Sequence, residues 1–196
     1  MPKFNEQERD TIRERLFAEG RRLFSVHGVR KVTIDDLATA AGISHGSFYT
    51  FFESKEHLFM EISLENQREI FDQLESYIDE NKKLKPWELV KLVIYFLMDK
   101  FFTDPIISSI NGELWEYLSR RLPSQSIENN NINDALVVEK LTEVGVKFNV
   151  HTSLVVKAIQ AIFMGAASFV SDEESEAVID ILVEGIIEKI VRSKRE

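Results

Sequence analysis

The sequence predicts an all-α fold, with an N-terminal three-helix domain of helix-turn-helix type and a larger helical domain after it. Three observations predict it. Apolar residues recur at three- and four-residue spacing, as in Ile12, Leu16, Leu23 and Phe24. Segment ends carry helix punctuation, with Ser or Thr at starts and Gly or Pro at stops. Two short helical segments also meet at a Gly turn between Thr33 and Thr50.

The first helix runs over about residues 7–26, and Gly28 suits the position just past its end. Thr33 is then an N-cap with Asp36 at capping-box spacing, and Val32 and Leu37 sit where a hydrophobic staple closes. Gly42 ends that helix where a left-handed backbone costs glycine little. Ser44 restarts the pattern, with Ile43 and Phe48 as a second staple. The positions left exposed on this second short helix are His45, Gly46, Ser47, Tyr49 and Thr50. They are short or hydrogen-bonding, as a helix entering a major groove requires. They are equally the surface of an ordinary helical hairpin, and spacing alone leaves both readings open.

Residue identity goes further. Thr33-Ile34, Leu37-Ala38, Ala41-Gly42-Ile43-Ser44, Gly46, Phe48-Tyr49, Phe52, Ser54-Lys55 and Leu58 together resemble the signature of the TetR family of transcriptional regulators. Upstream, Leu23-Phe24 and Gly28-Val29 resemble the end of that family's first helix. The resemblance covers about residues 12–58. It implies that residues 44–50 are a recognition helix, with Thr33, Tyr49 and Lys55 on phosphates and His45 and Ser47 at base edges. Phe51 stands where the family often has a phosphate-contacting His, and Gly20 where it often has Ala.

Beyond the turn, Ser54 caps a long fourth helix over about residues 55–80, with Leu58, Ile62, Ile70, Leu74 and Ile78 along one face. It links residues 1–60, the expected DNA-binding domain, to residues 61–196, the expected ligand-binding and dimerisation domain. The boundary is expected within this helix. Lys82 to Pro86 break the pattern, and residues 87–102 are apolar on nearly every side, which predicts a helix through the middle of the second domain. Further helices are expected over residues 106–122 and 132–148, with an exposed loop from Pro123 to Asn131.

The last two helices, about residues 152–170 and 173–192, interleave small and branched residues. They include Ala158, Gly165 and Phe169 in one and Ile181, Leu182, Gly185 and Ile186 in the other. The family resemblance implies that these two helices pair in a homodimer, as a reader of two half-sites requires. Aromatic density around the central helix, with Tyr95, Phe96, Phe101, Trp115 and Phe163 as the candidate lining, suits a cavity for a small apolar or aromatic effector, and equally a close-packed core that binds none.

Composition bounds the chemistry. The chain has 196 residues, 44% hydrophobic and 29% charged, with a net charge of −9 and no cysteine. The missing thiols exclude disulfides, thiolate catalysis and Cys-ligated zinc. Residues 1–60 hold nine Lys/Arg and nine Asp/Glu, so the remaining 15 cations and 24 acids carry the whole −9. An acidic body repels DNA and helps to orient a neutral reading head. Arg9, Arg13, Arg30, Lys31 and Lys55 are the candidate phosphate contacts.

His27, His45, His57 and His151 lie at separate places with no Glu-x-x-His spacing, and no nucleotide or nucleophile motif appears. No enzyme activity, cofactor or metal is expected. No apolar run is long enough to span a bilayer and MPKFNEQERD lacks a signal-peptide core, so the expected location is the cytoplasm. The expected function is a dimeric regulator, a repressor released from a pseudo-palindromic double-stranded operator by its effector. The alternative is a helical partner-binding protein without sequence-specific DNA reading.

Overall fold

The structure, a computed structural model, describes residues 4–123, 132–166 and 173–191. The loop expected over residues 123–131 and Phe169 lie, apart from Pro123, outside them. The regular elements among the described residues are helices: α1 Glu6–His27, α2 Ile34–Ala41, α3 His45–Phe48, α4 Lys55–Asn81, α5 Pro86–Thr103, α6 Gly112–Ser119, α7 Ile132–Glu143, α8 Thr152–Ala166 and α9 Glu173–Ile190. No helix among the described residues is long and apolar enough to cross a membrane. The chain divides into two compact units, Met1–Gln67 with Asp104–Ile127, and Arg68–Thr103 with Glu128–Glu196. The cut falls inside α4, and the segment from Asp104 onward returns to the first unit.

The first unit is built on one apolar cluster. Ile12, Leu16 and Phe24 of α1, Leu37 and Ala41 of α2 and Phe48 of α3 meet Leu58, Phe59 and Ile62 of α4. Phe24 stands edge-on to Phe59 at 5.5 Å, and each fully buried ring of this kind contributes about 2–3 kcal/mol through the water it sheds. Gly20 is where α1 and α4 approach, since a Cβ there would lie 2.9 Å from Ile62 Cδ1. The glycine weakens the isolated helix by about 1 kcal/mol but permits the close contact.

Residues after Asp104 complete this cluster with Ile106, Leu114, Leu118 and Leu122. Asp104 Oδ1 accepts from the Ile106 and Ile107 amides, and its Oδ2 accepts from Asn66 Nδ2 at 2.8 Å. The helix expected over residues 106–122 is α-helical only from Gly112, because Asn111 caps it there by accepting from the Leu114 amide. The Tyr117 hydroxyl donates to Glu56 Oε1 at 2.5 Å, and Arg30 pairs with Glu113 at 2.5 Å. Burial and the Glu56 carboxylate push the Tyr117 hydroxyl pKa up.

In the second unit, α8 packs on α7 and α9, and α9 packs on α5. Helix α5 buries Leu89, Val90, Val93, Ile94, Leu97 and Met98, but leaves Trp87 and Phe102 exposed at its ends. It is therefore less enclosed than its apolar run predicts. Its polar flank supplies the reason, since Lys91 pairs with Glu184 at 2.6 Å and the Tyr95 hydroxyl donates to Asp180.

Replacing Tyr117 by Phe leaves the buried Glu56 carboxylate without its hydroxyl donor. We expect a loss of about 1–3 kcal/mol in thermal or urea unfolding. Unchanged stability would show that the Arg121 guanidinium, 4.0 Å from Glu56, satisfies the group alone.

Candidate nucleic-acid interface

The helix-turn-helix is assembled by short-range hydrogen bonds. Thr33 Oγ1 accepts from the Asp36 amide at 3.2 Å while Asp36 Oδ2 accepts from the Thr33 amide at 2.9 Å, a complete capping box. The Thr33 hydroxyl also donates to Asp36 Oδ2 at 2.7 Å. These bonds from Thr33 hold the Asp36 carboxyl below the usual carboxylate range. Their contribution to folding is present above the unfolded-state value, about pH 4, and is lost as pH falls through the lower folded value. Gly42 closes α2 at φ 73°, and its amide bonds back to Ala38 and Thr39.

Helix α3 is shorter than the expected residues 44–50. It is α-helical over His45–Phe48 and continues as tight turns, with the Thr50 amide on Ser47 and the Phe51 amide on Phe48. Phe48 and Phe52 are buried and 5.9 Å apart, so the segment is anchored by its rings. The outer surface is polar. His45, Gly46, Tyr49 and Thr50 are exposed, and Ser47 is half-buried with its hydroxyl 2.8 Å from that of Ser44. Tyr49 is 53% exposed, and Gly46 has open space around it.

The cations are more engaged than sequence reasoning placed them. Lys55 Nζ donates to the carbonyls of Val32 at 2.6 Å and Arg30 at 3.1 Å, tying the turn before α2 to the start of α4. An ammonium has three donors, which leaves one for a phosphate. Arg13 pairs with Glu61 and Arg9 lies over the Phe51 ring at 5.7 Å. His57 Nε2 is 3.1 Å from Glu61, and no group of three metal-ligating side chains occurs among the described residues.

The second unit holds a cavity of about 360 Å³, lined by Phe71, Leu97, Phe101, Val137, Val156, Ile159, Gln160, Phe163 and Met164. It brings together two of the five sequence candidates. Phe101 and Phe163 stand edge to face at 5.8 Å, with Phe71 beside Phe101. Phe96 instead stacks on Tyr77 at 4.5 Å, Tyr95 bonds to Asp180, and Trp115 packs against the core of the first unit. Phe71, Gln160 and Met164 are lining residues that helical spacing alone did not single out. The outer faces of α8 and α9 expose Leu154, Met164, Ile181 and Leu182, at 53, 73, 70 and 39%.

A capped helix, a left-handed Gly turn and a ring-anchored second helix with a polar outer face define a helix-turn-helix domain. Residues 16–62 match the family described as bacterial regulatory proteins, tetR family. Residues 16–62 thus resemble the DNA-binding domain of the TetR family. The chain is 45% identical over 42 residues to a protein of Escherichia coli K12 described as "Probable acrEF/envCD operon repressor", a match covering 21% of this chain and 19% of that one. It is 36% identical over 62 residues to the HTH-type transcriptional regulator AcrR of Shigella flexneri, covering 32% and 29%. The chain thus spans less than a third of the length of these relatives. A solved TetR-family transcriptional regulator from Pectobacterium atrosepticum shares the fold, with TM-score 0.66 and 19% identity over 93% of this chain and 94% of that one.

Replacing Lys55 by Met removes the donor to two carbonyls as well as a cation. We expect the melting temperature to fall, by the equivalent of about 1 kcal/mol, together with affinity for every DNA sequence. An unchanged melting temperature would mean that water satisfies both carbonyls.

Proposed function

We propose that the protein is a homodimeric transcriptional repressor that reads a pseudo-palindromic operator with α3 and is released by a small, largely apolar ligand. The observation that carries this reading is the exposed polar surface of α3 on a fully packed apolar head. His45, Gly46, Tyr49 and Thr50 are exposed and Ser47 is half-buried, and these short or hydrogen-bonding types suit base edges and phosphates. The relative described as an operon repressor supports the sign of the regulation. Selection of bound sequences from randomised duplex DNA by the purified protein tests it. We expect inverted half-sites spaced by about one helical turn or a multiple of it, and recovery of no preferred sequence would defeat the reading.

The exposed apolar faces of α8 and α9 support pairing of two copies, since an isolated patch of this kind is unfavourable in water. Of the sequence candidates for that contact, Ile186 is half-buried within its own chain, whereas Ile181 is 70% exposed. Ile181→Asp should therefore leave the protomer folded and yield a monomer in sedimentation at low micromolar concentration, with operator binding lost. A persistent dimer would remove the outer face of α9 from the interface.

The cavity has the size and apolar wall of a small-molecule site. Gln160 is its one polar side chain, which suits an uncharged ligand with few polar groups. Coupling is supported by α4, which carries Phe71 into the cavity wall and Lys55, Glu56 and Phe59 into the reading head. A tenfold loss of operator affinity requires a ligand that favours the released state by about 1.4 kcal/mol. Filling the cavity with Val156→Trp should abolish both thermal stabilisation and operator release by any apolar compound that produces them in the wild type, while operator affinity without ligand is retained. A preserved response would place the effector elsewhere.

A further inference from the structure

We propose that Asp35 is a positioning residue for operator discrimination: its carboxylate holds the His45 imidazole by Nδ1, so that Nε2 is the atom presented to the base edges. The inference rests on the reading of the head as a DNA-binding domain and adds to it a residue outside α3. Asp35 Oδ1 lies 2.6 Å from His45 Nδ1, within hydrogen-bond reach. A carboxylate accepts only, so the shared proton sits on Nδ1. The other side of the ring meets Tyr49, with centroids 5.7 Å apart and planes at 54°. The ring is therefore held from α2 and from the turn after α3 while half of its side chain stays exposed.

The charge of Asp35 points the same way. Two carboxylates open α2, and Asp36 is consumed by the capping box with Thr33. Asp35 makes no cap, and its side chain is 77% exposed beside the recognition segment. A carboxylate there repels the phosphates of any duplex and lowers affinity for all sequences alike. An exposed pair of this kind adds little to folding. What the pair does fix is the rotation of the ring. An imidazole oriented by a second group offers one nitrogen in one direction, and so discriminates at one base pair in each half-site.

The test compares wild type, Asp35→Ala, Asp35→Asn, His45→Ala and the Asp35→Ala/His45→Ala pair on the selected operator and on its single base-pair variants. His45→Ala should lower discrimination at one base pair by about tenfold. Asp35→Ala should lower it at the same base pair while raising affinity for every sequence, and the double variant should discriminate no worse than His45→Ala alone. Asp35→Asn keeps an oxygen that accepts from Nδ1 and removes the charge. It should restore discrimination and keep the general rise in affinity. A uniform rise in affinity for Asp35→Ala with discrimination intact, or losses in the two single variants that add, would overturn the positioning role while DNA reading stands. If the wild type selects no sequence, the DNA-binding reading fails and this inference falls with it.

Discussion

The first unit depends on the buried face of α4. Leu58, Phe59 and Ile62 present a continuous apolar surface. Gly20 lets α1 lie against it at a distance that a methyl group would contest. Once α1 is seated there, Phe24 closes on Phe59, and α2 and α3 are held through Leu37, Ala41 and Phe48. A helix of four residues has no stability of its own, because nucleation costs more than so few hydrogen bonds return. The α3 segment is ordered by the rings beneath it, and α4 supplies the surface that those rings need.

Electrostatics in the head is mostly internal. Arg13, Arg30 and Arg22 pair with Glu61, Glu113 and Glu19, and Lys55 is turned onto backbone carbonyls. Residues 1–60 carry no net charge, and with so many of their cations engaged they offer DNA little long-range attraction. For a DNA reader this moves weight from phosphate contacts, which are blind to sequence, to the polar groups of α3 and to the few donors still available. The acidic remainder of the chain adds a repulsion that any bound DNA must overcome.

The residues Asp104–Ile127 change how the head is understood. They bring Leu114, Leu118 and Leu122 to the core of the first unit, and they set Tyr117 on the Glu56 carboxylate. Glu56 lies in the first turn of α4, one residue after Lys55. The turn of α4 that supports the helix-turn-helix thus takes one buried polar contact from α6 and donates two bonds to the loop before α2. Any shift of α6 on this surface would be felt at the point where α4 begins.

The sequence by itself determined the local architecture of the head. The caps at Thr33 and Ser44, the capping box with Asp36 and the left-handed turn at Gly42 were legible, because each is settled by residues within one helical turn. The same held for most helix boundaries, as at Gly28 and Pro86, which lie close to where the chain stops or restarts. Only the tertiary structure decided which faces meet. Helical spacing shows that Tyr95, Phe96, Phe101, Trp115 and Phe163 lie on apolar faces, but not which of them converge. Phe101 and Phe163 reached the cavity, while Phe96 found Tyr77, Tyr95 found Asp180 and Trp115 packed with the first unit. The bond of Lys55 to a carbonyl 25 residues earlier and that of Asp35 to a ring 10 residues later also join separate elements. A side chain's partner across the fold depends on the rotation of every helix between them, and no window of sequence contains that information.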